Sequence, residues 1–276
     1  MTQLVLHIGA HKTGTSLLQK YMRDNETTLN RQGITYIGRG DMNGYIGWGS
    51  PLLETPEKFR ARLEKEAEAS PENLIVTSHE NTLGKPMIVG RPDLYPEAQL
   101  RIEALAGVTS GFDTRIIYYI RRQSSFVESY YLQLVHQGSY EAFDSWFSSF
   151  DVSALSWRPA LDSMEKAFGQ DNLIAADFDE IKAGQNEFIE KFMERVRPGF
   201  DATIDYKPSR NRSISGKGLS IALAANPHLR TGDERSKMRK FLQKHYSNVD
   251  QPRPILLSDE QKAALRAEYE AEFENL

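Results

Sequence analysis

Five short apolar runs punctuate the chain at Leu4 to Ile8, Ile34 to Ile37, Leu74 to Thr77, Arg115 to Ile120 and Leu173 to Ala176. Each has the length of a strand, and their near-continuous hydrophobic character is that of strands covered on both faces. Between them the pattern changes period. Leu17, Leu18, Tyr21 and Met22 follow helical spacing, and further helices are expected over residues 57–69, 95–106, 125–136, 152–168 and 185–196. This alternation predicts an α/β fold of three layers, with a central, mostly parallel sheet flanked by helices. The rest of the chain shows no strand pattern and reads as a helical C-terminal part. Ser258 and Gln261 have capping-box spacing, and Leu265, Tyr269, Phe273 and Leu276 follow at near-helical intervals.

With 276 residues, 39% hydrophobic and 26% charged, the chain can bury a large core, and no Pro-, Gly- or Ser-rich linker divides it. One domain, residues 1–276, is expected. The longest apolar stretches are far shorter than a membrane span, and Met1 to His7 lacks the basic and long apolar regions of a secretory signal, so a cytoplasmic address is the default expectation. The absence of cysteine excludes disulfides and thiolate metal sites. His7 and His11 have HxxxH spacing, but one sits in a strand run and the other in a loop, so no metal is expected. Net charge is −4, yet residues 207–245 carry ten Lys or Arg against Asp233 and Glu234. Such asymmetry concentrates anions, whether nucleotide phosphates, sulfated glycans or nucleic acid.

The first strand ends in Gly9-Ala10-His11-Lys12-Thr13-Gly14-Thr15-Ser16, after which a helix begins. Backbone amides and the positive end of the helix dipole converge there on a place for an anion. Lys12 adds a charge, Thr13, Thr15 and Ser16 add hydroxyls, and Gly14 permits close backbone approach. A Walker A loop places its Lys after the last glycine, whereas Lys12 precedes Gly14. A second strand-to-helix passage, Ile116 to Tyr131, carries Arg121 at the strand end and Ser129 in the following helix, with Ser125 and Glu128 at capping-box spacing. Both can reach the crevice where α/β proteins bind ligands. Adjacent strand residues face opposite ways, so only one of Arg121 and Arg122 enters it. Ser78-His79-Glu80 lies just beyond the third run and places two potential general bases, His79 and Glu80, on the same sheet edge. Residues 38–50 form a glycine-rich loop, in which Tyr45 and Trp48 offer flat faces to an acceptor.

The K-T-G-T run after the first strand, with Arg121 and Ser129 eight positions apart, resembles the donor site of PAPS-dependent sulfotransferases, especially their bacterial and carbohydrate-modifying branches. The resemblance implies a P-loop-like fold in which residues 11–16 hold the 5′ phosphosulfate of PAPS, Ser129 and Arg121, the latter in preference to Arg122, hold its 3′ phosphate, and PAP is the product. It also implies a late basic donor segment, for which Arg210, Arg212, Ser213 and Lys217 are the candidates. The base is His79 or Glu80 by location, and the acceptor a hydroxyl, or an amine, on a saccharide or glycolipid. No metal and no nucleic-acid partner are implied. Two other readings stand beside this one, a P-loop kinase or NTPase and a noncatalytic anion- or nucleic-acid-binding protein. The missing Walker A order speaks against the first and the sparse aromatics of the basic segment against the second.

Overall fold

Strands that are apolar on both faces have to be covered twice, and one parallel sheet with helices on either side meets that demand. The computed structural model describes residues 1–46, 51–200, 204–207, 213–274 and 276. Along the chain, β1 (Gln3–His7) is followed by α1 (Thr15–Asp24) and α2 (Glu26–Arg31), then β2 (Ile34–Ile37) by α3 (Arg39–Ile46), α4 (Pro51–Glu54) and α5 (Pro56–Ala69). Next come β3 (Leu74–Ser78), α6 (Ala98–Thr109), β4 (Asp113–Ile120), α7 (Gln123–His136), α8 (Phe143–Phe147), α9 (Arg158–Phe168) and β5 (Leu173–Asp177). The later helices are α10 (Gln185–Val196), α11 (Gly216–Ala225), α12 (Gly232–His245) and α13 (Asp259–Tyr269). All five strands fall where the apolar runs place them, and no helix among the described residues is long and apolar enough to cross a membrane.

The chain forms two compact units interleaved in sequence. The first comprises Met1–Arg121, Ser156–Pro208 and Glu272–Leu276 and contains the sheet, ordered β2-β3-β1-β4-β5 with every pair parallel. One face of the sheet buries Val5, Ile34, Val76, Ile117 and Tyr119 against Leu18 and Met22 of α1 and Phe188, Ile189 and Phe192 of α10. The alternate positions, among them Leu4, Leu6, Ile75, Ile116 and Tyr118, are equally buried. On that side α9 packs on β4 and β5, and α6 packs on α5 and α9. Connections from β1 run to one side of the sheet and from β4 to the other. The loops leaving β3, β1 and β4 are therefore neighbours at a topological switch point, where open α/β sheets bind ligands.

The second unit, Arg122–Leu155 with Ser209–Ala271, is helical. Its α7 packs against α11, α12 and α13. Capping boxes start α12, at Thr231 and Glu234, and α13, at the expected Ser258 and Gln261.

Four local expectations are corrected. Residues 39–46 are helix rather than loop, because Met42 and Ile46 bury themselves one turn apart, and a side chain at Gly40 or Gly44 would meet open space, so neither glycine is there for steric reasons. The helix expected from 95 begins at Ala98, since Tyr95 has φ of 53° and cannot be helical. The helix expected over 152–168 is a short 3-10 turn, Val152–Ala154, and a separate α9 with Pro159 in its first turn. Ser125 and Glu128 make no capping box. α7 starts at Gln123, the Ser125 hydroxyl donates to the Arg122 carbonyl, and Glu128 accepts from the Leu257 amide and pairs with Lys262.

Candidate functional site

The turn after β1 is fixed from within. Thr13, fully buried, donates its hydroxyl to the Ala10 carbonyl at 2.6 Å. Gly14 is the N-cap of α1 at φ 79°, and an added Cβ would lie 3.0 Å from Phe188 and 3.1 Å from Phe178, so both conformation and space require glycine here. A glycine N-cap offers no side-chain acceptor, which leaves the first-turn amides of α1 for an anion. Thr15 begins the helix with its hydroxyl buried and unpartnered, and Ser16 beside it is exposed.

Lys12 adopts φ of 68°, a left-handed conformation that a non-glycine residue holds only when its surroundings impose it. Two bonds do so. The Arg121 guanidinium donates to the Lys12 carbonyl at 2.7 Å, and the preceding amide, that of His11, donates to the Tyr95 hydroxyl at 2.7 Å. Arg121 also lies over the Phe178 ring at 5.1 Å. Its carbonyl in turn accepts from the Trp157 indole N–H at 2.9 Å, so β4 delivers Arg121 to the Lys12 loop and Trp157 locks it there. Arg122 pairs with Glu270 at 3.1 Å.

The loop after β3 meets the same place. Gln19 of α1 donates to the Ser78 carbonyl at 2.9 Å and to Glu80 at 3.3 Å, and Arg39 of α3 pairs with Glu80 at 2.8 Å. Burial pushes the Glu80 carboxyl up, but Arg39 and the residue's own backbone amide outweigh it and hold the group below its ordinary value, ionised at neutral pH. His79 is buried with both ring nitrogens engaged: Nδ1 accepts from the Asn81 amide at 3.1 Å and Nε2–H donates to Asn43 at 2.9 Å. His11 is held in the same way, Nε2–H donating to Asn81 at 2.9 Å and Nδ1 accepting from Tyr95 at 2.9 Å. Burial brings His79 and His11 each down to about 4, so both are neutral at physiological pH.

Among the described residues no carboxylate pairs with Lys12. Burial first and Arg121 second bring its ammonium down from 10.5 to about 8, with Glu80 opposing them. A half-buried cation beside a second cation is stabilised by an anion bound next to it.

No family model matches this sequence, and no curated protein matches it. Among solved structures the chain is similar to a sulfotransferase from Alicyclobacillus acidocaldarius, with a TM-score of 0.45 and 13% sequence identity over 85% of this chain and 99% of that one.

The first unit thus brings together residues 11–16, His79, Glu80 and Arg121. Ser129, on α7, and Ser213 and Lys217 belong to the second unit. Lys217 lies in the first turn of α11, its ammonium 5.5 Å over the Tyr246 ring, and not in a loop. Arg210, Arg212 and Trp48 lie outside the described residues. Tyr45 stacks on Phe59 at 5.8 Å, so one of its faces is already taken. Sequence reasoning passed over Gln19, Arg39, Asn81, Tyr95 and Trp157. Only Gln19 carried a signal, since it follows Thr15 by one helical turn on α1.

Tyr95→Phe keeps the ring and removes only the hydroxyl that two His11 nitrogens share. It is expected to lower stability by about 1–3 kcal/mol, the cost of leaving buried polar groups unpaired, as a shifted midpoint in urea unfolding. An unchanged midpoint would show that His11 is anchored by Asn81 alone.

Proposed function

We propose that this protein is a sulfotransferase that takes its sulfuryl group from PAPS and delivers it to a hydroxyl, or an amine, of a saccharide or glycolipid. One observation carries the reading: the half-buried ammonium of Lys12, without a carboxylate partner among the described residues, placed beside Arg121 at an uncapped helix N-terminus on the switch point of the sheet. The K-T-G-T order and the Arg121 to Ser129 spacing give that anion site its donor. In this reading the amides of residues 14–16 and the Thr15 hydroxyl bind the 5′ phosphosulfate, and Arg121 and Ser129 bind the 3′ phosphate.

Glu80 is assigned as the base. It is ionised, and it lies two residues past the strand end, whereas His79 has no free nitrogen to accept a proton. The acceptor oxygen forms its bond to sulfur as the bond from sulfur to the bridging phosphate oxygen breaks. The acceptor proton passes to Glu80, and the electron pair settles on the phosphate, where Lys12 stabilises it. Arg39 keeps Glu80 a weak base, so an acceptor that displaces Arg39 raises its basicity at the moment of use.

Titration calorimetry with PAP, set against ATP with magnesium, tests the donor. PAP is expected to bind and Arg121→Ala to weaken it, while a preference for ATP would sink the reading. The same titration carries a pH prediction. Lys12 loses its proton near pH 8 in the free protein, and an anion beside it restores the charge, so binding takes up a proton above that pH. PAP affinity is expected to fall about tenfold per pH unit above pH 8, and Lys12→Arg to abolish that slope. A flat profile in the native protein would remove Lys12 from the donor site.

A further inference from the structure

Beyond the donor-segment candidates Arg210, Arg212 and Lys217, the positive charge of residues 207–245 is concentrated on α12 of the second unit. On α12, Lys237, Lys240, Phe241 and Lys244 follow at intervals of three, one and three residues and so share one helix face, spanning roughly 10 Å. The opposite face buries Leu242 and packs Arg235 against Gly138. Lys237 pairs with Asp233, but among the described residues no carboxylate pairs with Arg239, Lys240 or Lys244. Phe241 stands 49% exposed in the middle of this face.

The patch continues beyond the helix. The Phe241 ring lies 4.9 Å from His245 and 6.0 Å from Tyr246, and Lys217 covers Tyr246. Next to Lys217, the Gly216 amide donates to the Pro252 carbonyl at 3.0 Å, which brings the 252–255 segment alongside. That segment presents Arg253 and Ile255, the latter 88% exposed, and Val249 in the preceding turn is 53% exposed. Cations without carboxylate partners among exposed apolar side chains are a combination suited to a bilayer interface, where the charges meet lipid headgroups and the apolar groups enter the acyl boundary. A nucleic acid or an anionic glycan would use the cations and Phe241, but it has no use for protruding Val249 and Ile255.

We propose that this surface of the second unit, Lys237, Lys240, Phe241, Lys244, Val249 and Ile255, docks the protein on an anionic lipid membrane. This inference does not depend on the donor reading.

The test is sedimentation of the full chain with phosphatidylcholine vesicles, with and without phosphatidylglycerol. Binding is expected only to the anionic vesicles and to weaken steeply with salt. Each lysine at the surface contributes about fivefold, so Lys240→Gln with Lys244→Gln is expected to weaken it about 25-fold. Phe241→Ser with Ile255→Ser is expected to cost at least about tenfold. All four side chains lie on the surface, and the Phe241→Trp variant gives an independent readout, an indole emission that shifts to the blue on anionic vesicles. The proposal is overturned if both vesicle types bind equally, if the lysine pair changes nothing, or if the emission of the Phe241→Trp variant stays unshifted. It is also overturned if a single-stranded nucleic acid, a sulfated polysaccharide or a second copy of the chain occupies the patch while vesicles do not.

Discussion

Lys12→Ala is expected to lower the rate of sulfuryl transfer by about 10²–10³, the usual loss when one preorganised group facing developing charge is removed. In the proposed mechanism Lys12 answers the charge that appears on the departing phosphate, which places the expected effect in the chemical step. Single-turnover transfer from labelled PAPS to a glycan panel, with the enzyme saturated in donor, measures it apart from binding. The same substitution should leave stability intact. The ammonium is half-buried beside Arg121 with no carboxylate partner among the described residues, so the folded chain loses an uncompensated charge and no ion pair. A variant that transfers at the native rate would remove Lys12 from the mechanism. A variant that is inactive because it has unfolded would show that the loop depends on the lysine stem.

Trp157→Ala is expected to destabilise the first unit by about 3–5 kcal/mol and to lower its melting temperature by roughly 6 °C or more, read by circular dichroism. Trp157 has no exposed surface, and its ring contacts Tyr95 and Tyr118 with centroids 6.2 and 6.3 Å away. Its indole N–H holds the Arg121 carbonyl, so the same side chain supports both the core and the site. Trp157→Phe separates the two roles. It keeps most of the packing and costs about 1 kcal/mol for the lost hydrogen bond, while PAP affinity falls because Arg121 is no longer fixed. Equal PAP affinity in Trp157→Phe and native protein would confine Trp157 to packing.

The strands were legible because burial on both faces writes itself into consecutive positions such as Leu4, Val5 and Leu6. Their order was not. Placing β1 between β3 and β4 joins residues some seventy and more than a hundred positions apart, as in Leu4 with Ile75 and with Thr114, and no local pattern encodes that. The segment from Arg39 misled because its glycines suggested a loop, whereas two buried side chains, Met42 and Ile46, were enough to make a helix. The same asymmetry governs the site. Lys12 stands in the loop after β1 and Arg121 at the end of β4, where position alone suggests a ligand, but Tyr95 reaches His11 across 84 residues and Trp157 reaches Arg121 across 36. Neither aromatic residue differs in sequence from one that only fills space.

The interleaving of the two units has a consequence for biosynthesis. The chain leaves the first unit at Arg121, returns at Ser156, leaves again after Pro208 and returns at Glu272. The sheet acquires its last strand only at Leu173, and the helical unit its last helix only at Asp259. Chains emerge at about 5–20 residues per second, so neither core can close until Leu173 and Asp259, respectively, have been made. The nascent protein therefore exposes unpaired strand edges for many seconds, and chaperone depletion should reduce its yield more than that of a chain of equal length whose two cores are consecutive.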